Sequence, residues 1–212
     1  MCGRYALHAN PEVVALQFGL EGAAEFKASY NVCPGTDIMV VRLDGQKKRV
    51  ARQHRWGLGN KLANARGESL AERPAFRDAF RRHRCLVPAS GFYEWQALAG
   101  RKQPWYFAPI GAELFGLAGI TAFWNGVRSV SLITTAPNTL MEPIHDRMPV
   151  IVAPEDYAAW LDNEAPDPMR YVRPFLAERM TARPVSMRVN QPENDDPALL
   201  AESKEPLQHG LL

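Results

Sequence analysis

A cysteine at the second position is the sharpest chemical feature of the chain. Methionine before a small second residue is usually removed during synthesis. Cys2 then becomes the first residue and carries an amine and a thiol on adjacent carbons. An α-amine titrates near ~7.7–8.0 and a thiol near ~8.5, so both nucleophilic forms are reached close to neutral pH. Such a 1,2-aminothiol condenses with an aldehyde: the amine forms a Schiff base and the thiol closes a five-membered thiazolidine. No internal cysteine can do this. If Met1 persists the chemistry is blocked, and a cysteine at this position is incidental.

Three more residues are of types that move or orient protons. Glu94 sits in GFYEW (91–95), behind the apolar run CLVP (85–88). A carboxylate between Tyr93 and Trp95 is expected to be partly desolvated, which raises its pKa and makes it a general acid or base. The alternative is a surface strand glutamate between two buried aromatics. His145, in PIHDRMPV (143–150), precedes an apolar strand and is placed for proton transfer; the alternative is a satisfied loop histidine. Asn64, in NAR (64–66), is either a site residue or an ordinary cap or turn asparagine. Arg4, Arg66 and Arg147 each stand beside one of these candidates, which places phosphates near the reactive groups.

Other residues carry less. Cys33 and Cys85 lie in apolar contexts and read as buried structural thiols. His8, His54, His83 and His209 lack ligand spacing, so neither a metal nor a cofactor is expected. Ser90 lacks the surrounding glycines of a nucleophile elbow.

The elements that must position these residues read as mixed. Asn10-Pro11 opens a helix over 11–18 that ends at Gly19. Residues 37–43 and 47–55 flank Asp44-Gly45 as a hairpin. Residues 72–83 read as an amphipathic helix, with Phe76, Ala79 and Phe80 on one side and Arg73, Arg77, Arg81 and Arg84 near the other. Strands are predicted at 84–88, 104–109, 113–119, 128–135, 147–152 and 184–189, and helices at 154–162 and 169–180. The segment from Gln191 is polar and reads as a loose surface tail. Strands and helices do not alternate, which argues against a doubly wound sheet. The fold class expected is α+β: a curved, mostly antiparallel β structure with peripheral helices, in one domain over 2–190 followed by the tail at 191–212.

Composition narrows the classes. The chain has 212 residues, 46% hydrophobic and 23% charged, enough for a real core without staples. No window approaches ~18 consecutive apolar residues, and the start lacks the apolar stretch of a secretory signal. Three scattered cysteines fit a reducing cytoplasm. The net charge is +2, but its distribution is uneven: residues 1–106 hold 17 basic and 9 acidic residues, net +8, and residues 107–212 hold 8 and 14, net −6. The window 42–84 alone holds 13 basic and 4 acidic residues, net +9. Of the 25 basic residues 19 are arginine, whose flat fork suits phosphate oxygens. This basic half points to a polyanion partner; the alternative is a solvated face with arginine set by genome composition.

The stretches MCGRY (1–5), YNVCPGT (30–36), WG (56–57), NARGES (64–69), RCLVPASGFYEW (84–95), QPWYF (103–107), LITTAPN (132–138), HDRMPVIV (145–152) and PVSMRVN (184–190), in that order, resemble the SOS-response-associated peptidase (SRAP) family of abasic-site-crosslinking proteins. The resemblance spans about residues 2–190. It implies a single SRAP-like α+β domain that handles abasic sites in single-stranded DNA. By position, Cys2 is similar to the crosslinking residue, and Asn64, Glu94 and His145 match the other active-site positions. The implied reaction joins Cys2 to the ring-opened abasic sugar as a thiazolidine. Glu94 would orient or deprotonate the amine, His145 would move a proton to or from the sugar oxygen, and Asn64 would hold Cys2 and the sugar. Arg4, Arg66 and Arg147 would grip phosphates, joined by Arg73 and Thr135, with Trp56 and Pro34 as apolar support for bases. The implied protein is monomeric, cytoplasmic and associated with replicating DNA.

The chain departs from the family in two places. Only LGNKLA (58–63) separates WG from NAR, where members usually carry a longer stretch, and Cys33 and Asp37 stand where Ala and Gln are common. Two rival readings keep the same residues: a thiol peptidase that removes its own Met1 or processes crosslinked peptides, and a plain single-strand binding module held by arginine contacts.

Overall fold

A computed structural model of the chain describes residues 2–22, 24–59 and 61–203. Its strands are β1 (Tyr5–Leu7), β2 (Ser29–Val32), β3 (Asp37–Leu43), β4 (Arg49–Trp56), β5 (Asn64–Arg66), β6 (Arg84–Ala89), β7 (Gly91–Leu98), β8 (Arg101–Pro109), β9 (Phe115–Trp124), β10 (Val127–Thr135), β11 (Met148–Pro149), β12 (Ile151–Val152) and β13 (Met180–Pro184). The α-helices are α1 (Pro11–Phe18), α2 (Arg77–Arg82) and α3 (Tyr157–Leu161). The fold class is α+β, as expected. No helix among the described residues is long and apolar enough to cross a membrane.

Two β structures meet. Strands β10, β4, β3, β6 and β9 pair in that order, and β9 pairs back onto β10, so the five close into a barrel. Closure leaves no edge among these strands. β6 reads RCLVPA and is buried throughout: it lies between β3 and β9 in the barrel wall, and α2, α3 and β1 pack against it. The second structure is an antiparallel sheet in the order β13-β8-β7-β1-β2.

The local chemistry explains most boundaries. Asn10 accepts the N–H of Glu12 at 2.8 Å, and Gly19 ends α1 with φ 64°. Residues 44–48 turn β3 into β4, with the Asp44 carboxylate accepting the N–H groups of Gln46 and Lys48. The left-handed position of this turn is Lys47, φ 60°. Residues 148–152 wedge between the splayed ends of β9 and β10. The Val150 N–H donates to Ile133 O and its carbonyl accepts from Ala118, each at 2.8 Å.

Several expectations need correction. The helix read over 72–83 forms only at 77–82, because Pro74 disfavours the helical conformation at Arg73. Arg84 is buried at 2% exposure instead of lying on a polar face. Its guanidinium donates to the carbonyls of Trp160 at 2.7 Å, Phe80 at 2.8 Å and Asp162, tying α2 and α3 to the barrel. Residues 169–180 form two 3-10 turns, at 168–171 and 177–179, with Pro174 between them. The helix read over 154–162 begins as a 3-10 turn and is α-helical only at 157–161. The strand read over 184–189 is displaced: β13 occupies 180–184, and 187–190 is a 3-10 turn. The segment from Gln191 is not loose through Ser203. Leu199 is fully buried, Asp195 accepts from Ser29 and from the Tyr30 N–H, and Ser203 N–H donates to Pro184 O. Residues 204–212 of the expected tail lie outside the described residues, as does Met1.

Candidate functional site

The first residues run along β7. Tyr5 pairs with Phe92 and Ala6 with Gly91, and the Tyr93 N–H donates to Arg4 O at 2.9 Å. This antiparallel pairing brings Cys2 alongside Glu94. On its other flank Gly91 allows the close approach of β8, since a Cβ there would lie 2.4 Å from Phe107 O.

Strand alternation decides where Glu94 points. It shares a face with Phe92, which stacks on Phe107 at 5.0 Å in the core, while Tyr93 points into a smaller cluster with Ala6 and Tyr106 on the other side. Glu94 is only 2% exposed. Burial pushes its carboxyl up to about 7, with the Asp146 charge also raising it. The expected desolvation is present, and it comes from the Phe92 face as much as from the flanking aromatics.

Asn64 enters from the barrel. Leu132 of β10 lies opposite Asn64 in a parallel pairing with β5, and the Asn64 Nδ2 donates to Cys2 O at 2.9 Å. Its Oδ1 is buried and without a hydrogen-bond partner among the described residues. That oxygen is an acceptor with unused capacity close to Cys2.

His145 ends a turn in which its N–H donates to Met141 O at 3.0 Å, just before β11. Its Nδ1 lies 3.0 Å from the Arg147 N, 3.2 Å from Arg147 O and 3.1 Å from Asp146 Oδ1, so it meets both a donor and acceptors. Nε2 lies 3.8 Å from Glu94 Oε2. Burial holds the imidazole below its ordinary pKa, opposed by the Asp146 charge.

Burial pushes the Cys2 thiol far above the ordinary thiol range, and the Glu94 charge adds to this. Cys2 is fully buried. The thiol is therefore protonated at neutral pH. A cleft of about 430 Å³ opens over Glu94 and His145, rimmed by Arg4, Trp95, Lys102 and Asn190. It combines a carboxyl poised near neutrality, an imidazole and cationic walls, an arrangement chemically suited to proton transfer beside an anion.

The arginines differ in role. Arg4 lines the cleft; its Nη1 donates to Asn31 Oδ1 and Val189 O, both at 2.7 Å, and its guanidinium lies 5.9 Å from the Trp95 ring centroid. Arg66 is exposed on β5. Arg147 is clamped bidentately to Glu68 at 2.6 and 3.0 Å and donates to Thr134 O at 2.7 Å. Its fork is thereby committed to protein, not open to a phosphate. Arg73 is exposed and lies over the Phe76 ring at 5.8 Å, outside the cleft lining. Thr135 is buried and paired with Met148. Trp56 is fully buried, 5.4 Å from the Tyr5 ring, and donates Nε1 to Ala63 O at 3.0 Å. It cannot stack on a base; it braces the segment leading to Asn64. Pro34 is exposed in the turn at 33–36.

Sequence reasoning missed Asn31, Glu68, Lys102 and Asn190. Asn31 is 4% exposed and joins Arg4 to the carbonyls of Gln191 and Asn194 at 3.1 and 2.7 Å. These four are polar residues in ordinary strand and turn contexts, and no spacing signal marks them. Among the described residues no group of three His, Cys, Asp or Glu could hold a metal.

Residues 1–192 match the family model described as SOS response associated peptidase (SRAP). The chain is similar to the abasic site processing protein YoqW of Bacillus subtilis, 37% identical over 94% of this chain and 99% of that protein. It is also similar to the abasic site processing protein HMCES of Xenopus tropicalis, 31% identical over 84% of this chain and 67% of that protein. A solved structure from Bacteroides thetaiotaomicron shares the fold with TM-score 0.82 at 23% identity, covering 95% of this chain and all of that one. The solved structure of a phage-related protein from Bordetella bronchiseptica superposes with TM-score 0.72 at 26% identity, over 87% of this chain and 94% of that one.

Proposed function

The chain belongs to the SOS response associated peptidase (SRAP) family, and from that premise we propose that it captures abasic sites in single-stranded DNA as a covalent thiazolidine at Cys2. The relatives named for abasic site processing support the substrate class. The observation that carries the chemistry is the hydrogen bond from Asn64 to the Cys2 carbonyl, which pins Cys2 against the Glu94–His145 pair.

The proposed sequence starts with removal of Met1, which frees the Cys2 amine. As the abasic sugar opens to its aldehyde, the His145 imidazole takes the proton of the C1 hydroxyl and returns a proton to the leaving ring oxygen, so the ring ends neutral; the reverse closes the sugar. Glu94, with a pKa near neutrality, accepts a proton from the attacking Cys2 ammonium. The amine adds to the carbonyl carbon and water leaves, giving an imine. The Cys2 S–H then adds across that bond, its sulfur to carbon and its proton to nitrogen, and closes the thiazolidine. One water is released overall and no oxidant is needed. Asn64 keeps Cys2 in place, and its unpartnered Oδ1 accepts a sugar hydroxyl. Arg4 and Arg66 meet the flanking phosphates. The same groups run the sequence backwards and release the DNA. The protein acts as a monomer beside replicating DNA in the cytoplasm.

The peptidase reading is weaker on one point. A hydrolytic cysteine needs a thiolate, and burial keeps this thiol protonated. An amine-first condensation uses the thiol only in its second step.

The deciding experiment incubates purified protein with a single-stranded oligonucleotide bearing one abasic site and looks for a band stable to denaturant. The expected result is a band in the parent chain and none in Cys2→Ala. A band that survives in Cys2→Ala, or an intact mass that retains Met1 in the reactive protein, sinks the proposal.

A further inference from the structure

The open end of the barrel carries a second concentration of charge. On β3 and β4, directly paired residues share a face: Val40 lies opposite Arg52 and Ile38 opposite His54. Arg42, Arg52 and His54 therefore share the face of Val40 and Trp56, both fully buried. Across β9 and β10, Val130 lies opposite Thr121 and Arg128 opposite Phe123, so Arg128 and Phe123 extend a shared face outward. The Arg128 guanidinium lies 5.8 Å from the Phe123 ring centroid, and Phe123 is 67% exposed. The His83 carbonyl accepts the Thr121 N–H at 2.9 Å beside this rim.

These groups act on one another. Burial, then the charges of Arg128 and Arg52, hold Arg42 below its ordinary value. Burial, then Arg42 and Arg128, push His54 down to about 4. Among the described residues Arg42, Arg52 and Arg128 form no ion pair. Asp44 is the acid that acts on Arg42, and its carboxylate is engaged by the N–H groups of Gln46 and Lys48. The Arg42 Nε is buried without a partner among the described residues. The three guanidinium groups outweigh the Asp44 carboxylate that acts on Arg42 and Arg52, so the cluster keeps an excess of positive charge that suits an anion, and guanidinium forks match phosphate. An exposed ring among them adds a surface for a base, the combination that binds single strands without reading sequence.

We propose that Arg42, Arg52, Arg128 and Phe123 at the barrel mouth form a second binding surface for single-stranded DNA, separate from the Glu94–His145 cleft and occupied by the same strand. This rests on the reading that the chain engages single-stranded DNA. β10 leads from Arg128 at the mouth to Thr134, whose carbonyl holds Arg147 beside the cleft. Six residues at ~3.3 Å each separate the two places by ~20 Å. A long strand reaches both, and an abasic trinucleotide reaches the cleft alone.

The test compares capture and equilibrium binding of an abasic trinucleotide with those of an abasic strand of about 16 nucleotides. Phe123→Ala is expected to weaken the long strand ~5-fold or more. Arg52→Ser with Arg128→Ser is expected to lower its salt slope by about 0.7 for each phosphate that the variant no longer neutralises. Both variants are expected to capture the trinucleotide at the parent rate, which also shows that they fold. Equal weakening of long and short strands, or no weakening of either, overturns the second surface. Failure of the parent chain to capture either oligonucleotide instead overturns the function proposed above.

Discussion

The Asn64 side chain reaches back 62 residues to donate its amide to the Cys2 carbonyl at 2.9 Å. One hydrogen bond thus couples the barrel, through β5 on β10, to Cys2, which precedes β1 of the other sheet. The fold separates the proposed nucleophile from the residue proposed to aim it, and this makes their contributions separable.

Asn64→Ala is expected to slow abasic-site capture 10- to 100-fold, well short of Cys2→Ala, while costing about 1 kcal/mol of stability. Quenched time courses of the covalent band and denaturant unfolding measure the two effects. Capture at the parent rate would show that Cys2 needs no aiming.

Glu94 makes stability depend on pH. Its carboxyl is raised from 4.5 unfolded to about 7 folded, so the folded state holds the proton more tightly between those values. The associated stability is fully present below pH 4.5 and is lost as pH rises through 7. Glu94→Gln removes this loss. The variant is expected to match the parent near pH 4.5 and to exceed it by about 2–3 kcal/mol at pH 8, while capturing abasic DNA more slowly. Urea unfolding at the two pH values checks the sign.

Arg147 is a clamp held by Glu68 and Thr134. Arg147→Ala and Glu68→Ala are each expected to destabilise the protein, with a coupling of about 1 kcal/mol in a double-mutant cycle. Arg66 is exposed, so Arg66→Ala is expected to flatten the salt dependence of DNA binding by about 0.7 and Arg147→Ala much less. A larger change in slope for Arg147→Ala would return it to the phosphate-binding set.

Gly91→Ala places a methyl group against Phe107 O and the Tyr106 ring. Calorimetry is expected to find a loss of about 2–4 kcal/mol, with capture slowed as β7, which carries Glu94, shifts away from β8. A neutral substitution would mean that the close packing of β8 on β7 is not needed to hold Glu94 in place.

Chain removal after Asn190 deletes buried Leu199 and the Gln191 and Asn194 carbonyls that hold Asn31. The shortened protein is expected to melt lower and to bind DNA more weakly through a loosened Arg4. Unchanged melting and binding would restore the reading of that segment as a loose tail.

The chemistry of single residues is legible in the linear order. An aminothiol at position 2, a glutamate in an apolar strand and a histidine before a strand are recognised from type and neighbours alone. So are α1 and the β3–β4 hairpin, because caps and turns are local events. The helix expected over 72–83 is too long because its apolar spacing outlasts the constraint that Pro74 sets. Burial of Arg84 and Trp56 is not legible, since each depends on carbonyls or rings distant in sequence.

From its own order of residues the chain determines which groups can react and which short segments form, because backbone constraints and side-chain pKa values act over a few residues. The tertiary structure alone decides that Glu94 turns inward, that Arg147 closes on Glu68, and that Asn64 meets Cys2. Those outcomes follow from barrel closure and strand register, which sum weak preferences along the whole chain into one arrangement.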